Sequence, residues 1–285
     1  MNTRRCRPWW ALLAACLVLD LQAGELRVCQ HDPARYAYRI ELANLILART
    51  AASDGELTIA PASDEDPPQE RCLMQLRTGE VDLAYVPPNQ QRLDDFDMLR
   101  QDIHAGMLGY RLLLIRREDA PRFAQVRTLD DLRQMRAGFV TQWSDFSQFA
   151  ANRLPVVGAS RSENLLAMLE SRRFDYYHRA LHEAWSELDS EAARHPDLMV
   201  EPSLALVYPL PVYFTFNRQN GQALRERFER GLRLVQDDGS FQALVLRHFG
   251  EQIYRSRLNE RRVLILESDL PAGLPDAGRR FWVAH

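Results

Sequence analysis

The sequence contains no lysine, because all 36 residues in the Lys+Arg total are arginines. A Walker-type phosphate loop, a Schiff-base lysine and a lysine-assisted acid or base each need a lysine amine, so these kinds of site are excluded. The formal charge is only −3 at pH 7, and a nucleic-acid partner is not expected. A length of 285 residues, 46% of them hydrophobic, is enough for two modest globular domains.

Long apolar runs are also rare, and the main one lies at the N-terminus. Three arginines in the first seven residues precede an apolar run at residues 9–19, and Ala23 closes a small-residue cleavage site. This pattern predicts a signal peptide over residues 1–23, a mature chain that begins near Gly24, and a periplasmic location.

Two other interpretations of the N-terminus stay open. Cys16 follows a Leu-Ala-Ala sequence that fits a lipoprotein signal, although residues 17–19 continue the apolar run where a polar tether is expected. An uncleaved anchor is the third interpretation. The run is short for a bilayer span, and Asp20 interrupts its end.

Cysteine is scarce. Only Cys29 and Cys72 remain after processing, and in an exported chain two cysteines are candidates for one disulfide, with free buried thiols as the alternative. Neither has neighbouring histidines at zinc-site spacing, so no metal site and no cofactor are expected.

Strands and helices alternate through the first third of the chain. Predicted strands at residues 26–30 and 57–60 are each followed by a predicted helix, at residues 36–50 and 69–77. This order is typical of an α/β layer with right-handed crossovers.

A candidate binding loop follows the next strand. Residues 81–86, which include Tyr85, form an apolar strand that stops at two prolines, and Asn89 and Arg92 come directly after it. Ligands in open α/β sheets bind beyond the carboxyl ends of strands, and an arginine fork suits a carboxylate. The alternative is that Arg92 is a solvated loop arginine.

The second half offers an opposite wall for a cleft. Trp143, Ser144 and Asp145 lie in a loop between a predicted strand and a predicted helix, where free backbone N–H groups accept anions. Tyr177 and Arg179 lie at the end of a later strand. Prolines in residues 204–216 indicate an extended link, and predicted helices follow at residues 221–236, 241–249 and 252–260.

Four segments, in order, resemble the periplasmic solute-binding proteins of amino-acid ABC transporters, of the family 3 type. They are LRTGEVDLAYVPPNQQR, TLDDLRQMRAGFV, LLAMLESRRFDYY and LRLVQDDGSFQALVLRHFG, while GMLGYRLLLI and ALVYPLPVYF resemble an exported subgroup of that family. The resemblance implies an α/β, two-lobed fold of the Venus-flytrap kind with two hinge crossovers. Lobe one comprises residues 24–108 and 208–285, and lobe two comprises residues 109–207.

The resemblance also assigns roles to single residues. Arg92 matches the arginine that holds the ligand α-carboxylate, and Ser144 lies near the hydroxyl residue of the second lobe. The aspartate that pairs with the α-ammonium group is absent, and Arg179 and Ala180 stand at that place. A cation there repels an ammonium group, so an anionic or aromatic ligand is expected.

The leading hypothesis is an exported, monomeric binding protein for a small carboxylate, working with an inner-membrane ABC permease or a membrane sensor. It predicts that Arg92→Ala abolishes binding and leaves the fold intact. The first alternative is a dehydratase-like enzyme that uses Glu183 or His178 as acid or base, and the second is a signalling module with a degenerate cleft. Glu183, Glu187 and Glu191, at helical spacing, are otherwise expected to form a solvated helix face.

Overall fold

The computed structural model describes residues 24–141, 143, 146–268, 270–274 and 282. The predicted signal peptide, Cys16, Ser144 and Asp145 therefore lie outside the described residues. Two small sheets that one bridge connects form lobe one of the described chain, and a seven-stranded sheet forms lobe two, each with flanking helices.

The strands are β1 (Gly24–Val28), β2 (Leu57–Pro61), β3 (Ala84–Val86), β4 (Phe96–Met98), β5 (Tyr110–Arg116), β6 (Ala137–Val140), β7 (Val156–Ala159), β8 (Tyr176–Ala180), β9 (Leu198–Val200), β10 (Leu204–Val207), β11 (Tyr213–Asn217) and β12 (Arg262–Ile265). The helices are α1 (Pro33–Asp54), α2 (Gln69–Thr78), α3 (Gln90–Asp95), α4 (Ala120–Phe123), α5 (Leu129–Leu132), α6 (Phe146–Ala151), α7 (Leu165–Glu170), α8 (Leu181–Glu191), α9 (Gln222–Asp237) and α10 (Ser240–Ser256).

Lobe one is built on strands in the order β2, β1, β3, β11, β4. β1 pairs with β2 in parallel, a single parallel bridge from Val28 to Leu83 joins β1 to the chain just before β3, and β11 runs antiparallel to both β3 and β4. Helices α1 and α9 pack closely on this sheet. A Cβ atom at Gly231 of α9 would lie 2.6 Å from the Ile46 side chain of α1, so the close contact requires a glycine.

Lobe two is built on the seven-stranded sheet. Its strand order is β12, β10, β5, β8, β6, β7, with β9 also paired to β5. β6 is parallel to β7 and β8, whereas β5 is antiparallel to β8, β9 and β10. Helix α5 begins with a capping box, in which Thr128 caps the helix and Asp131 is the reciprocal partner.

Two links join the lobes, at residues 99–109 and 208–212, and they run side by side. Backbone hydrogen bonds connect Ile103 N to Val212 O (3.1 Å) and Tyr208 N to Gly109 O (3.2 Å). A Cβ atom at Gly109 would lie 2.3 Å from the Tyr208 carbonyl oxygen, so only glycine permits this approach.

Asp102 connects the two links. Its carboxylate accepts the N–H of His104 (3.1 Å) and Gly106 (2.6 Å) in the first link and of Val212 (3.0 Å) in the second. Burial raises the pKa of Asp102 to about 6, against the opposing effect of these three donors.

The C-terminal region departs from the prediction in two ways. Gly250 does not end a helix, because α10 continues to Ser256 and ends at Arg257 with a φ of 47°. Strand β12, which the sequence assigned with lobe one, pairs in parallel with β10 at the edge of the lobe-two sheet. This pairing places Leu264 of β12 in the hydrophobic core of lobe two.

The chain then returns to the hinge. Trp282 is buried against Tyr110, with ring centroids 5.1 Å apart, and its indole N–H donates to Ala105 O at 2.8 Å. Arg255, near the end of α10, also pairs with Asp189 of α8 at 2.5 Å. The C-terminal region therefore contacts both lobes.

Cys29 follows β1 and Cys72 lies in α2, and the structure joins them as a disulfide with Cα atoms 5.7 Å apart. That separation is within the range that disulfides require. None of the helices among the described residues combines the length and apolar character needed to cross a membrane.

Candidate functional site

The candidate site lies beside the hinge, where the ends of β1, β3 and β8 meet the starts of α1 and α8. The main core of lobe one continues to Ala180 and Leu181 at the start of α8, so the two lobes are in contact here. Each lobe supplies one arginine that lies over two aromatic rings.

The first of these groups, which we call the lobe-one arginine unit, consists of Tyr36, Arg39 and Tyr85. The Arg39 guanidinium carbon lies 5.3 Å from the Tyr36 ring centre and 5.4 Å from that of Tyr85, distances typical of cation–π contacts. Gln30 fixes both rings: its amide donates to Tyr36 Oη at 2.9 Å, and Tyr85 Oη donates to its backbone carbonyl.

The local sequence explains this arrangement. Asp32 caps α1 by accepting the N–H of Ala34 at 3.0 Å, and Pro33 begins the helix. Tyr36 and Arg39 are three residues apart and therefore share one helix face.

Arg39 has no carboxylate within 4.0 Å in the described part of the chain. Its Nε lies 3.5 Å from His104 Nε2. Burial lowers the pKa of Arg39, because desolvation disfavours the charged form. Burial also lowers the pKa of His104 well below its usual range, and the charge of Arg39 adds to this, so the imidazole is neutral.

The second group, which we call the lobe-two arginine unit, consists of Trp143, Tyr177 and Arg179. The two rings stack with centroids 6.2 Å apart, and the Arg179 guanidinium lies 5.1 Å from the ring centre of Trp143 and 5.7 Å from that of Tyr177. Here the cation is neutralised, because Arg179 pairs with Glu187 at 2.6 Å and Glu183 at 3.3 Å. Burial alone would lower the pKa of Arg179, but these two carboxylates outweigh it and raise the pKa.

The start of α8 carries the acidic partners. Glu183 also accepts the N–H of Ala180 at 3.2 Å, as a helix-capping group. Burial would raise the pKa of Glu183, but Arg179, His182 and Arg111 outweigh burial and lower it to about 2. Glu187 differs, since burial raises its pKa.

His182 shows that the two arginine units lie near each other. Burial lowers its pKa to about 4, and the charges of Arg179, Arg39 and Arg111 add to that effect against the attraction of Glu183. Cations from both lobes therefore act on this one imidazole. Glu183 and Glu187, which were expected on a solvated helix face, are partly exposed and also pair with Arg179.

Arg92 and Asn89 lie away from this cluster of charges, at the start of α3. Asn89 caps that helix by accepting the Arg92 N–H at 2.8 Å. Arg92 is only 7% exposed, and its guanidinium donates to Pro87 O (2.7 Å), Gln69 Oε1 (2.8 Å) and Glu70 Oε1 (2.6 Å). Its acceptors belong to lobe one itself, and its role in ligand binding stays a prediction.

Three other predicted site residues, Trp143, Tyr85 and Tyr177, differ in their exposure. Trp143 is partly exposed and packs with Tyr177 and Arg179, and its role in a ligand-binding wall stays a prediction. Tyr85 and Tyr177 are buried and lie behind the two guanidinium groups, so they support the arginines.

The residues considered for catalysis, His178 and Glu183, have structural contacts instead. His178 is 1% exposed, and its ring packs against Phe139 and Phe149 with centroids 4.5 and 4.4 Å away, inside lobe two. Glu183 is ionised and paired with Arg179. In the described ranges, no group of three or more metal-binding side chains is positioned to hold an ion.

Tyr36 and Arg39 were not predicted as site residues. Residues 36–50 were correctly predicted as helix from the spacing of their apolar residues, and that spacing does not single out Tyr36 or Arg39. The available signal was a tyrosine and an arginine three residues apart in the first turns of a helix that follows the first strand.

No family model and no curated protein matches the chain. Solved structures do match its fold. The probable amino-acid ABC transporter extracellular-binding protein ytmK from Bacillus subtilis is 15% identical over 80% of this chain and 99% of its own, with a TM-score of 0.57.

Two further structures are similar to the chain. The amino-acid ABC transporter substrate-binding protein AbpA from Streptococcus pneumoniae, bound to L-arginine, is 20% identical over 75% of this chain and 84% of its own (TM-score 0.52). A histidine kinase sensor domain with similarity to periplasmic binding proteins is 15% identical over 81% of this chain and 96% of its own (TM-score 0.54). The chain therefore has the two-lobed α/β fold of periplasmic binding proteins, which confirms the predicted fold class.

Proposed function

We propose that the protein is an exported solute-binding protein that holds a small, carboxylate-bearing ligand between its two lobes. Ligand binding involves no covalent chemistry. Lobe closure exchanges water around the ligand for arginine N–H donors and aromatic faces, and the paired links at residues 99–109 and 208–212 form the hinge.

One observation carries this proposal. Each lobe presents an arginine over two aromatic rings beside the hinge, at the place where α/β sheets bind ligands. Arg179 stands where the resemblance calls for an aspartate, and Glu183 and Glu187 are already paired with it. An anionic ligand therefore suits the site better than an ammonium group does.

The ligand-bound protein serves either uptake or sensing. Two of the similar structures are named as ABC transporter binding proteins, and one is named as a histidine kinase sensor domain. We propose an inner-membrane permease or a membrane sensor as the partner. The mature protein then acts as a monomer outside the inner membrane.

The test is native mass spectrometry of the mature protein purified without refolding. We expect a small molecule that dissociates on activation, and identification of its mass defines the ligand. The control is the same protein unfolded in denaturant, dialysed and refolded: it should lack the extra mass and have a larger scattering radius of gyration, which falls again when the identified compound is added. A protein that carries no molecule and shows no thermal shift with carboxylates or amino acids would contradict the proposal.

A further inference from the structure

We infer that Arg39, and not Arg92, binds the ligand carboxylate; this inference rests on the function proposed above. Of Arg39, Arg92 and Arg179, only Arg39 has no carboxylate partner among the described residues.

Two of the three arginines are neutralised by their own lobe. Arg92 pairs with Glu70 at 2.6 Å, and Arg179 pairs with Glu183 and Glu187. A ligand carboxylate would have to displace these carboxylates. Arg39 forms no ion pair with a described residue, although it is partly buried and such charged groups are normally paired.

The donors of Arg39 are also nearly all unused. A guanidinium has five N–H donors, and only Nε–H has an acceptor, the distant His104 Nε2 at 3.5 Å. The terminal nitrogens have no hydrogen-bond partner among the described residues. Stacking on Tyr36 and Tyr85 holds the guanidinium plane, and its open edge can bind a carboxylate through two parallel hydrogen bonds.

The neighbours of Arg39 restrict the rest of the ligand. Glu183, the lobe-two acid whose charge acts on Arg39, is paired with Arg179, so an ammonium group next to the carboxylate finds no free anion in that lobe. Gln30 Oε1 is buried without a hydrogen-bond partner in the described chain and suits a neutral donor such as a hydroxyl. The ligand class is therefore a small carboxylate, with or without a hydroxyl, that carries no adjacent ammonium group.

The test uses calorimetric titration with four probes: benzoate, 4-hydroxybenzoate, succinate and L-glutamate. The tightest binder is then compared with its primary amide, in the wild type and in the matched variants Arg39→Gln and Arg92→Gln. Arg39→Gln should weaken the carboxylate about 10- to 100-fold and leave the amide unchanged, because only the charge-assisted pair is lost. Arg92→Gln should change the carboxylate affinity less than about 3-fold on the same reasoning.

Arg39→Lys is a second variant in case Arg39→Gln does not fold. It keeps the charge and loses the fork, so its carboxylate affinity should lie between wild type and the loss expected for Arg39→Gln. Retained carboxylate affinity in Arg39→Gln, equal losses in both glutamine variants, or tightest binding of L-glutamate would overturn the inference and leave the proposed function standing. A wild type that binds none of the probes, and that carries no ligand in native mass spectrometry, contradicts the proposed function and the inference together.

Discussion

The lobe-one and lobe-two arginine units share a geometry and differ in charge balance. Arg39 and Arg179 each lie between 5.1 and 5.7 Å from the centres of two aromatic rings. Arg179 has two carboxylates within 3.3 Å, whereas Arg39 has none within 4.0 Å in the described chain. The two arginines therefore have similar aromatic contacts, but of the two only Arg179 has carboxylate partners among the described residues.

This difference separates a structural cation from a binding cation. A cation that is neutralised inside its own lobe stabilises that lobe, and its removal leaves unpaired carboxylates. A cation without an anion costs stability when it is desolvated, and a bound anion recovers that cost. Four substitutions test this difference, and they are ordered here by the size of the expected effect.

Arg179→Ala should have the largest effect on stability. It leaves Glu183 and Glu187 without a counter-charge at a partly buried place. Breaking a buried pair costs about 3–5 kcal/mol, and partial exposure brings the expected loss in free energy of unfolding to about 3 kcal/mol. Denaturant unfolding at pH 7 measures it.

The control is Arg194→Ala, which removes an exposed arginine that pairs with Glu191 at the end of α8. An exposed pair contributes about 0–1 kcal/mol, so this variant should unfold almost as wild type does. Equal losses in the two variants would show that the lobe-two arginine unit is no more structural than a surface pair.

Glu183→Gln should change how stability depends on pH. The pKa of Glu183 is lowered from 4.5 to about 2, so its contribution is complete above pH 4.5 and is lost as pH falls toward 2. The wild type should therefore exceed the variant in unfolding free energy at pH 6, and the difference should shrink at lower pH. The shift corresponds to about 3 kcal/mol, which partial exposure reduces to about 2 kcal/mol.

Unfolding curves of both proteins between pH 2.5 and 6 measure this difference. Asp102 has the opposite dependence, since its raised pKa makes the fold more stable as pH falls from about 6 toward 3.8. It is present in both proteins, so its contribution cancels in the subtraction. A difference that does not vary with pH would mean that Glu183 is not held ionised by Arg179.

The two units also show how far the sequence supports prediction. The alternation of strands and helices predicted the α/β layers, because hydrophobic periodicity and turn residues are local properties of the chain, whereas the two lobes were implied by the family resemblance. Arg179 was also predicted as a site residue, because the sequence places it at the end of a predicted strand. Its pairing with Glu187 depends on how β8 meets α8, which the spacing of glutamates alone does not specify.

Arg39 was missed for a related reason. Its surroundings come from α1, β3 and the link at His104, three segments that are distant in sequence. The same applies to β12, whose pairing with β10 depends on where α10 ends. The sequence predicted a helix end at residue 249, just before Gly250, but helix-stop residues act only when neighbouring contacts do not favour continuation.

Arg92→Ala tests whether a third arginine, one that its own lobe neutralises, is structural as Arg179 is. Its guanidinium connects α3 to the start of α2 through Gln69 and Glu70, and to Pro87 O. Losing these bonds should cost about 1.5 kcal/mol of unfolding free energy, because the Pro87 carbonyl keeps no charged donor and Glu70 is exposed anyway. Thermal and denaturant unfolding measure the cost. An unchanged stability together with lost carboxylate binding would return the ligand-binding role to Arg92, as the family resemblance predicts.

Arg39→Met should have the smallest effect on stability, and its sign is informative. No ion pair is lost, the methionine side chain keeps contact with Tyr36 and Tyr85, and the desolvated charge is removed. The cation–π contacts contribute about 0.5–1 kcal/mol in favour of arginine, and the desolvation that lowers the pKa of Arg39 opposes them. The two terms nearly cancel, so the unfolding free energy of the ligand-free protein should change by less than about 1 kcal/mol. A loss above about 2 kcal/mol would place Arg39 with Arg179 as a structural residue, because only a cation that the fold itself neutralises is costly to remove.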